Sequence, residues 1–509
     1  MNCPRWKAAA FSILSGGRRA TPHEAGWASP ARFCRSMSES QNPPTTIPPS
    51  GGPQPSSSWT PESWKRRPQA QEIAYPDPKK LAAVGDKLRS LPPLVTSWEI
   101  ERLRSLMGDA EVGKRFLLQG GDCAETLADC RPDVIANKLK ILLQMSVALI
   151  HGSKRPVVRV GRFAGQYAKP RSKPTEVRDG VELPSYFGDL VNRQEFTVQA
   201  RTPDPELLLQ AYLHSAATIN FVRSLTMGGF ADLHHPEFWD LSNLSRAELP
   251  AELQSEYTRM TREIGESIRF MEALGEAKVD ELTRVEFFAS HEGLSLHYEA
   301  AQTRMVPRRT GYYDLTTHLP WIGERTRDLN GAHIDFFSGI RNPVGVKVGP
   351  KATSQEVLAL VKALNPANEA GKLMLITRMG AANVQGVLPN LVQAVRGAGL
   401  RALWVCDPMH GNGQVLPSGI KTRGFEDILS ELEQTFAVHA AAGSVLGGVH
   451  FELTGEDVTE CIGGGLSEAD LDRNYASACD PRLNYRQALE MAFRTAKLMS
   501  DAANAGAAR

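Results

Sequence analysis

At 509 residues the chain is long enough for more than one domain, yet α/β barrels of about 250 residues or more fold as single units, so length alone forces no division. Its 58 Lys and Arg against 57 Asp and Glu leave a net charge of +1, which removes any global electrostatic case for nucleic acid or an anionic membrane. No apolar run approaches the roughly 18 residues that cross a bilayer, and seven cysteines without a C-x-x-C pair make neither a disulfide scaffold nor a four-cysteine zinc site, so a soluble protein of a reducing compartment, the cytoplasm, is expected.

Residues 1–58, rich in Ser, Pro, Gly and Arg without periodicity, read as a disordered or targeting-like tail. The first 23 residues hold no acid but include Arg5, Lys7, Arg18 and Arg19, the bias of a transit peptide to a plastid or other organelle; the other reading is that translation starts at Met37. Residues 59–115, punctuated by Trp59, Trp64 and several prolines, predict an arm packed on the following domain, with a helix from Ser97 to about Met107. From 116 onward, strands are predicted over 116–121, 156–161, 285–290, 331–337, 344–349, 373–378, 402–407 and 445–452. Amphipathic helices such as Pro132 to Leu149, Ser354 to Leu364 and Phe425 to Ala441 fall between them. This alternation predicts a closed (β/α)8 TIM barrel over 116–509, with a helical insertion over about 173–284 between strands 2 and 3. Only about seven residues separate the fourth and fifth predicted strands, too few for a helical crossover, so one of the two is misplaced.

Polar residues stand repeatedly at the ends of these apolar runs, which is how such a barrel builds an active site at one rim. Cys123, His410, Glu452 and Asp480 supply a thiolate, an imidazole and two carboxylates from four segments, a mixed set suited to Mn, Co, Fe or Zn rather than Ca or Mg. Read singly, the same residues are also an ordinary buried thiol, a hydrogen-bonded loop histidine and two solvated acids. His450 shares a strand face with Glu452 and is placed to support it. Arg162, Lys169, Arg171, Arg325, Lys347 and Arg378 form a second, cationic set that would gather around small dianions, since guanidinium groups read phosphate and carboxylate bidentately. Glu324, beside Arg325, is positioned to activate a water or orient Lys347. Together the two sets imply a metal-assisted reaction on phosphorylated or carboxylated small molecules.

Several long strings carry a resemblance. Leu118 to Glu125, Val160 to Ser172, Trp321 to Arg327, Lys347 to Pro350, Cys406 to Asn412 and Cys479 to Asn484 closely resemble the class II (plant-type) 3-deoxy-D-arabino-heptulosonate 7-phosphate (DAHP) synthases, over about Trp59 to residue 500. The resemblance implies condensation of phosphoenolpyruvate with erythrose 4-phosphate and water. It implies Cys123, His410, Glu452 and Asp480 as ligands of a divalent metal, and Arg162, Glu324, Arg325, Lys347 and Arg378 as phosphoenolpyruvate contacts. Glu324, Lys347 and Arg325 would serve the chemistry, and Lys169, Arg171 and Ser172 the aldose phosphate. It also implies a homo-oligomer, with a chorismate mutase partner for some relatives. Cys123 and Cys479 would both lie beside the metal, where a disulfide between them would remove a ligand. Phe238 to Leu241 and Leu319-Pro320 depart from the family's strings and bear on substrate detail or regulation. An aminated-sugar variant of the same condensation and an inactive regulatory barrel are the alternatives.

Overall fold

Eight short apolar runs close into a parallel barrel: β1 (Phe116–Gly121), β2 (Val157–Arg162), β3 (Phe288–Glu292), β4 (Leu319–Ile322), β5 (Val344–Val348), β6 (Leu373–Thr377), β7 (Leu403–Cys406) and β8 (Leu446–Glu452). Each strand pairs with its neighbours in sequence, and β8 returns to β1, which sets Gly121 opposite both Glu452 and Arg162. The computed structural model describes residues 59–228 and 285–507, with isolated positions between 230 and 266. The tail read over 1–58, the Phe238 to Leu241 string and most of the expected insertion beyond residue 228 lie outside the described residues.

The fourth strand differs from the expectation. Residues Ala332–Ser338 are a helix whose His333, Ile334, Phe336 and Phe337 are buried, and the strand is the short run Leu319–Ile322. The apolar spacing of 331–337 fits both periods over so few residues, and the seven-residue gap that followed it was the sign of the error. The correction places Gly323-Glu324-Arg325 directly after a strand end.

The larger helices are α1 (Pro78–Ser90), α2 (Ser97–Glu111), α3 (Pro132–Ser153), α4 (Glu206–Met227), α5 (Leu296–Gln302), α6 (Ala332–Ser338), α7 (Ser354–Leu364), α8 (Val384–Gly397), α9 (Phe425–Ala442) and α10 (Tyr485–Ala507). Thr96 and Glu99 close a capping box at the start of α2. Its apolar face, Leu103, Leu106, Met107 and Ala110, then packs into the barrel interior against Leu117, Val158, Met374 and Leu403, plugging the end opposite the strand C-termini. Thr353 caps α7, its hydroxyl accepting from the Glu356 N–H. α3 is long and apolar enough to cross a membrane by length and average composition, but 78% of its apolar window is buried, the pattern of a core helix. It packs on α10 so closely that a Cβ at Gly152 would stand 2.6 Å from that of Ala496.

The arm is held by its aromatics. Trp59 donates its indole N–H to the Asp335 carbonyl at 2.9 Å and meets Tyr312 edge to face, while Trp64 meets His297 the same way. Between β2 and β3 lie α4 and an antiparallel hairpin, Thr175–Arg178 with Val181–Pro184, which the sequence did not disclose.

Candidate active site

β1 ends on Gly121 with φ +144°, where a Cβ would press on the Arg162 carbonyl; the glycine lets the chain turn at once into Asp122 and Cys123. Cys123, Glu452 and Asp480 offer donor atoms that all lie within 4.8 Å of one another. His410 Nε2 stands 3.0 Å from Glu452 Oε1. The four predicted ligands therefore converge, although Asp480 comes from the long segment after β8 rather than from a strand end. The Lys169 ammonium sits among them, 2.8 Å from Cys123 Sγ, 2.9 Å from Asp480 Oδ2 and 3.2 Å from Glu452 Oε1.

A soft thiolate, an imidazole and two carboxylates around a point already holding a positive charge fit a divalent transition metal. Burial would raise the Glu452 carboxyl, but His410, Lys169, Arg423 and Arg162 outweigh it and hold the group well below the usual carboxylate range. Lys169 does the same for Asp480. Burial pushes the Cys123 thiol up, as do its hydrogen bond with Cys479 and the nearby Glu452. That hydrogen bond pulls Cys479 down to about 7, and both cysteines are free thiols.

Asp407, which the sequence reading passed over, orients the site. Its Oδ2 accepts from His410 Nδ1 at 2.7 Å and from the Lys347 ammonium. With Nδ1–H held by Asp407, Nε2 is the ring nitrogen turned to Glu452, the one that would offer its lone pair to a metal. Lys347 is held by Asp407 and not by Glu324; Glu324 instead accepts from Arg327 at 2.9 Å, leaving Oε2 without a hydrogen-bond partner. Burial lowers Lys347 to about 8 despite Asp407.

Above this cluster opens a cavity of about 1060 Å³ lined by Lys169, Arg171, Ser172, Glu292, Glu324, Arg325, Lys347, Arg378, His410 and Asp480 among others. Arg325 donates to Ser172 Oγ at 2.9 Å near the rim, and Arg378 donates to the His410 carbonyl. Arg162 does not line the cavity. Its guanidinium donates to the Asp122 and Cys123 carbonyls, to Glu452 Oε1 at 3.0 Å and to His450 Nε2 at 2.6 Å, and stacks over Trp321. Through these contacts Arg162 supports Glu452 and the Cys123 turn in this structure. His450 in turn donates from Nδ1 to Gln119 and supports Arg162 rather than a ligand directly.

Two further residues hold the ligand loops. Arg423 donates to Glu452 Oε2 at 2.7 Å and to the Pro481 carbonyl. Arg482 pairs with Asp122 at 2.6 Å and with Glu460 at 2.8 Å, while Lys138 pairs with Asp122 at 2.6 Å, tying the Asp480 loop to the Cys123 turn. Buried charges recruited from such distant segments leave no periodic trace in a sequence.

The chain is similar to known proteins over most of its length. The chain is 47% identical over 456 residues to the phospho-2-dehydro-3-deoxyheptonate aldolase of Neurospora crassa, covering 86% of this chain and 94% of that protein. It is 48% identical to the enzyme of the same name from Streptomyces coelicolor, covering 86% and 97%, and 43% identical to that of Mycolicibacterium smegmatis, covering 86% and 93%. The model of the class-II DAHP synthetase family matches residues 59–496, and the chain belongs to that family.

Proposed function

We propose that this protein is a DAHP synthase, a transferase that joins phosphoenolpyruvate, erythrose 4-phosphate and water into DAHP and phosphate, the first step of the shikimate route to chorismate and the aromatic amino acids. The observation that carries this reading is the opening of one cavity onto the His410 and Asp480 edge of the thiol, imidazole and carboxylate cluster and onto a cationic wall. A divalent cation such as Mn or Co, held by Cys123, His410, Glu452 and Asp480, would supply Lewis-acid polarisation of the aldehyde carbonyl.

The protein's own groups do the rest. Lys347 and Arg378 with Arg325 hold the anionic groups of phosphoenolpyruvate, and Arg171, Ser172 and Lys169 with Arg325 receive the aldose phosphate. C3 of phosphoenolpyruvate attacks the aldehyde carbon, water adds at C2, and phosphate leaves. Glu324, with one carboxylate oxygen unpartnered, orients the incoming water. The fixed cations stabilise charge as it moves from the enol to the aldehyde oxygen and the leaving phosphate.

The test is phosphate release by metal-stripped protein given both substrates, with and without Mn, comparing wild type with His410→Ala. Release should need both substrates and the metal, and should fall at least about 100-fold in the variant. Release from phosphoenolpyruvate alone, or equal turnover by His410→Ala, would overturn the reading.

A further inference from the structure

We propose that Glu292 is the proton carrier of the condensation, giving its proton to the former aldehyde oxygen as the carbon–carbon bond forms and recovering one from the water that adds at C2. The inference rests on the reaction proposed above. Glu292 ends β3, where its backbone N–H donates to Gln166 Oε1 at 2.8 Å, and its side chain lines the same cavity as Glu324, Lys347 and His410. Its Oε1 is buried and has no hydrogen-bond partner.

Two observations set it apart from the other acids there. Among the described residues lining the cavity, Glu176 pairs with Arg171, Arg178 and Arg201, Glu324 with Arg327, and Asp480 with Lys169 and Lys421; Glu182 accepts from Thr175. Glu292 alone has neither an ion pair nor a side-chain hydrogen bond among them. The carboxyl lies against Gly323: a Cβ on residue 323 would collide with Glu292 Oε1, so the glycine leaves this rotamer of Glu292 its space. A carboxyl with one oxygen buried and unpartnered favours the neutral acid, which is the form able to donate.

The surrounding charges are consistent with that form. Burial raises the Glu292 carboxyl above its ordinary range, although Lys169, Lys347, His410 and Arg162 pull the other way. The proton inventory closes without an outside acid. The C2–C3 π pair forms the new bond to the aldehyde carbon, the carbonyl π pair moves to oxygen, and that oxygen takes the Glu292 proton. Water bonds to C2 and returns a proton to the Glu292 carboxylate. The C2–O bond to phosphate then breaks as the new hydroxyl becomes a carbonyl, and its proton leaves with phosphate.

Glu292→Gln keeps the shape and removes the transferable proton. We expect its kcat to fall by about 10²- to 10⁴-fold, with melting temperature, Mn affinity by calorimetry and phosphoenolpyruvate affinity by tryptophan fluorescence unchanged. Because the donor must be protonated, wild-type kcat should decline as pH rises past the Glu292 pKa, and the variant should lose that limb. Glu292→Asp, which retains an acid, should keep the limb at lower kcat. A Gln variant with kcat within about threefold of wild type, or a loss that follows Mn or phosphoenolpyruvate affinity, overturns the assignment. Absence of turnover in wild type under the same assay overturns the DAHP synthase reading as well, so the two failures are told apart.

Discussion

Arg162 follows one predicted strand and Arg378 ends another, and nothing in the sequence separates them; only the fold shows that Arg162 has most of its donors engaged by buried protein acceptors. Arg162 is buried against Glu452, a residue 290 positions away, and against His450, whereas Arg378 borders the cavity. Their losses should therefore differ in kind. Arg378→Ala is expected to raise the KM for phosphoenolpyruvate about 10- to 100-fold, the scale of a hydrogen bond to a charged group, with little change in melting temperature. Arg162→Met breaks a buried ion pair and should lower stability by about 3–5 kcal/mol. Steady-state kinetics beside thermal melts would check both. An Arg162→Met protein of full stability with a selective phosphoenolpyruvate defect would return Arg162 to the anion cradle. The same limit on legibility explains Asp407 and Glu292. Their positions after apolar runs were visible, but the ring orientation that Asp407 fixes in His410 and the space beside Gly323 that Glu292 enters exist only in three dimensions.

At the scale of elements, strands with long apolar runs were read closely: β1 and β2 begin and end within a residue of expectation, because β-branched and apolar residues buried on both faces leave a continuous signature. β4 was missed since it has four residues and contains Pro320, which by itself argues against a central strand. The hairpin at 175–184 was missed because its exposed strands, with Val177 and Val181 facing out, carry no core pattern. α2 shows how an element outside the barrel supports the rim that does the chemistry. It fills the far end of the interior, so truncating Met107, fully buried there, should leave a cavity beneath the strands rather than at the site. Met107→Ala is expected to destabilise by about 2–5 kcal/mol while phosphoenolpyruvate KM stays near wild type. A fall in melting temperature without a KM change is the outcome to look for, and a KM change of similar size would mean the plug and the rim are coupled.

For the whole molecule, the active site is the place where the chain closes on itself. β8 pairs with β1, the Leu483 N–H donates to the Glu452 carbonyl, and Arg482 reaches back across 360 residues to Asp122. The Cys123 turn and the Asp480 loop are thus set by one charge network of Lys138, Asp122, Arg482 and Glu460, all of it buried or nearly so. If that network positions two ligands at once, removing its centre must reach the metal without touching a donor atom. Arg482→Met leaves Glu460 without its guanidinium and Asp122 with Lys138 alone, an uncompensated burial expected to lower stability by about 3–5 kcal/mol. It should also weaken Mn binding about 10- to 100-fold, the usual effect of losing a group that orients a ligand. Calorimetric titration of the metal-stripped variant beside its thermal melt separates the two consequences. Weaker Mn binding together with a lower melting temperature supports the network as the positioning device. Wild-type Mn affinity in a destabilised protein would instead mean that the Leu483 and Arg423 contacts alone hold Asp480 in place.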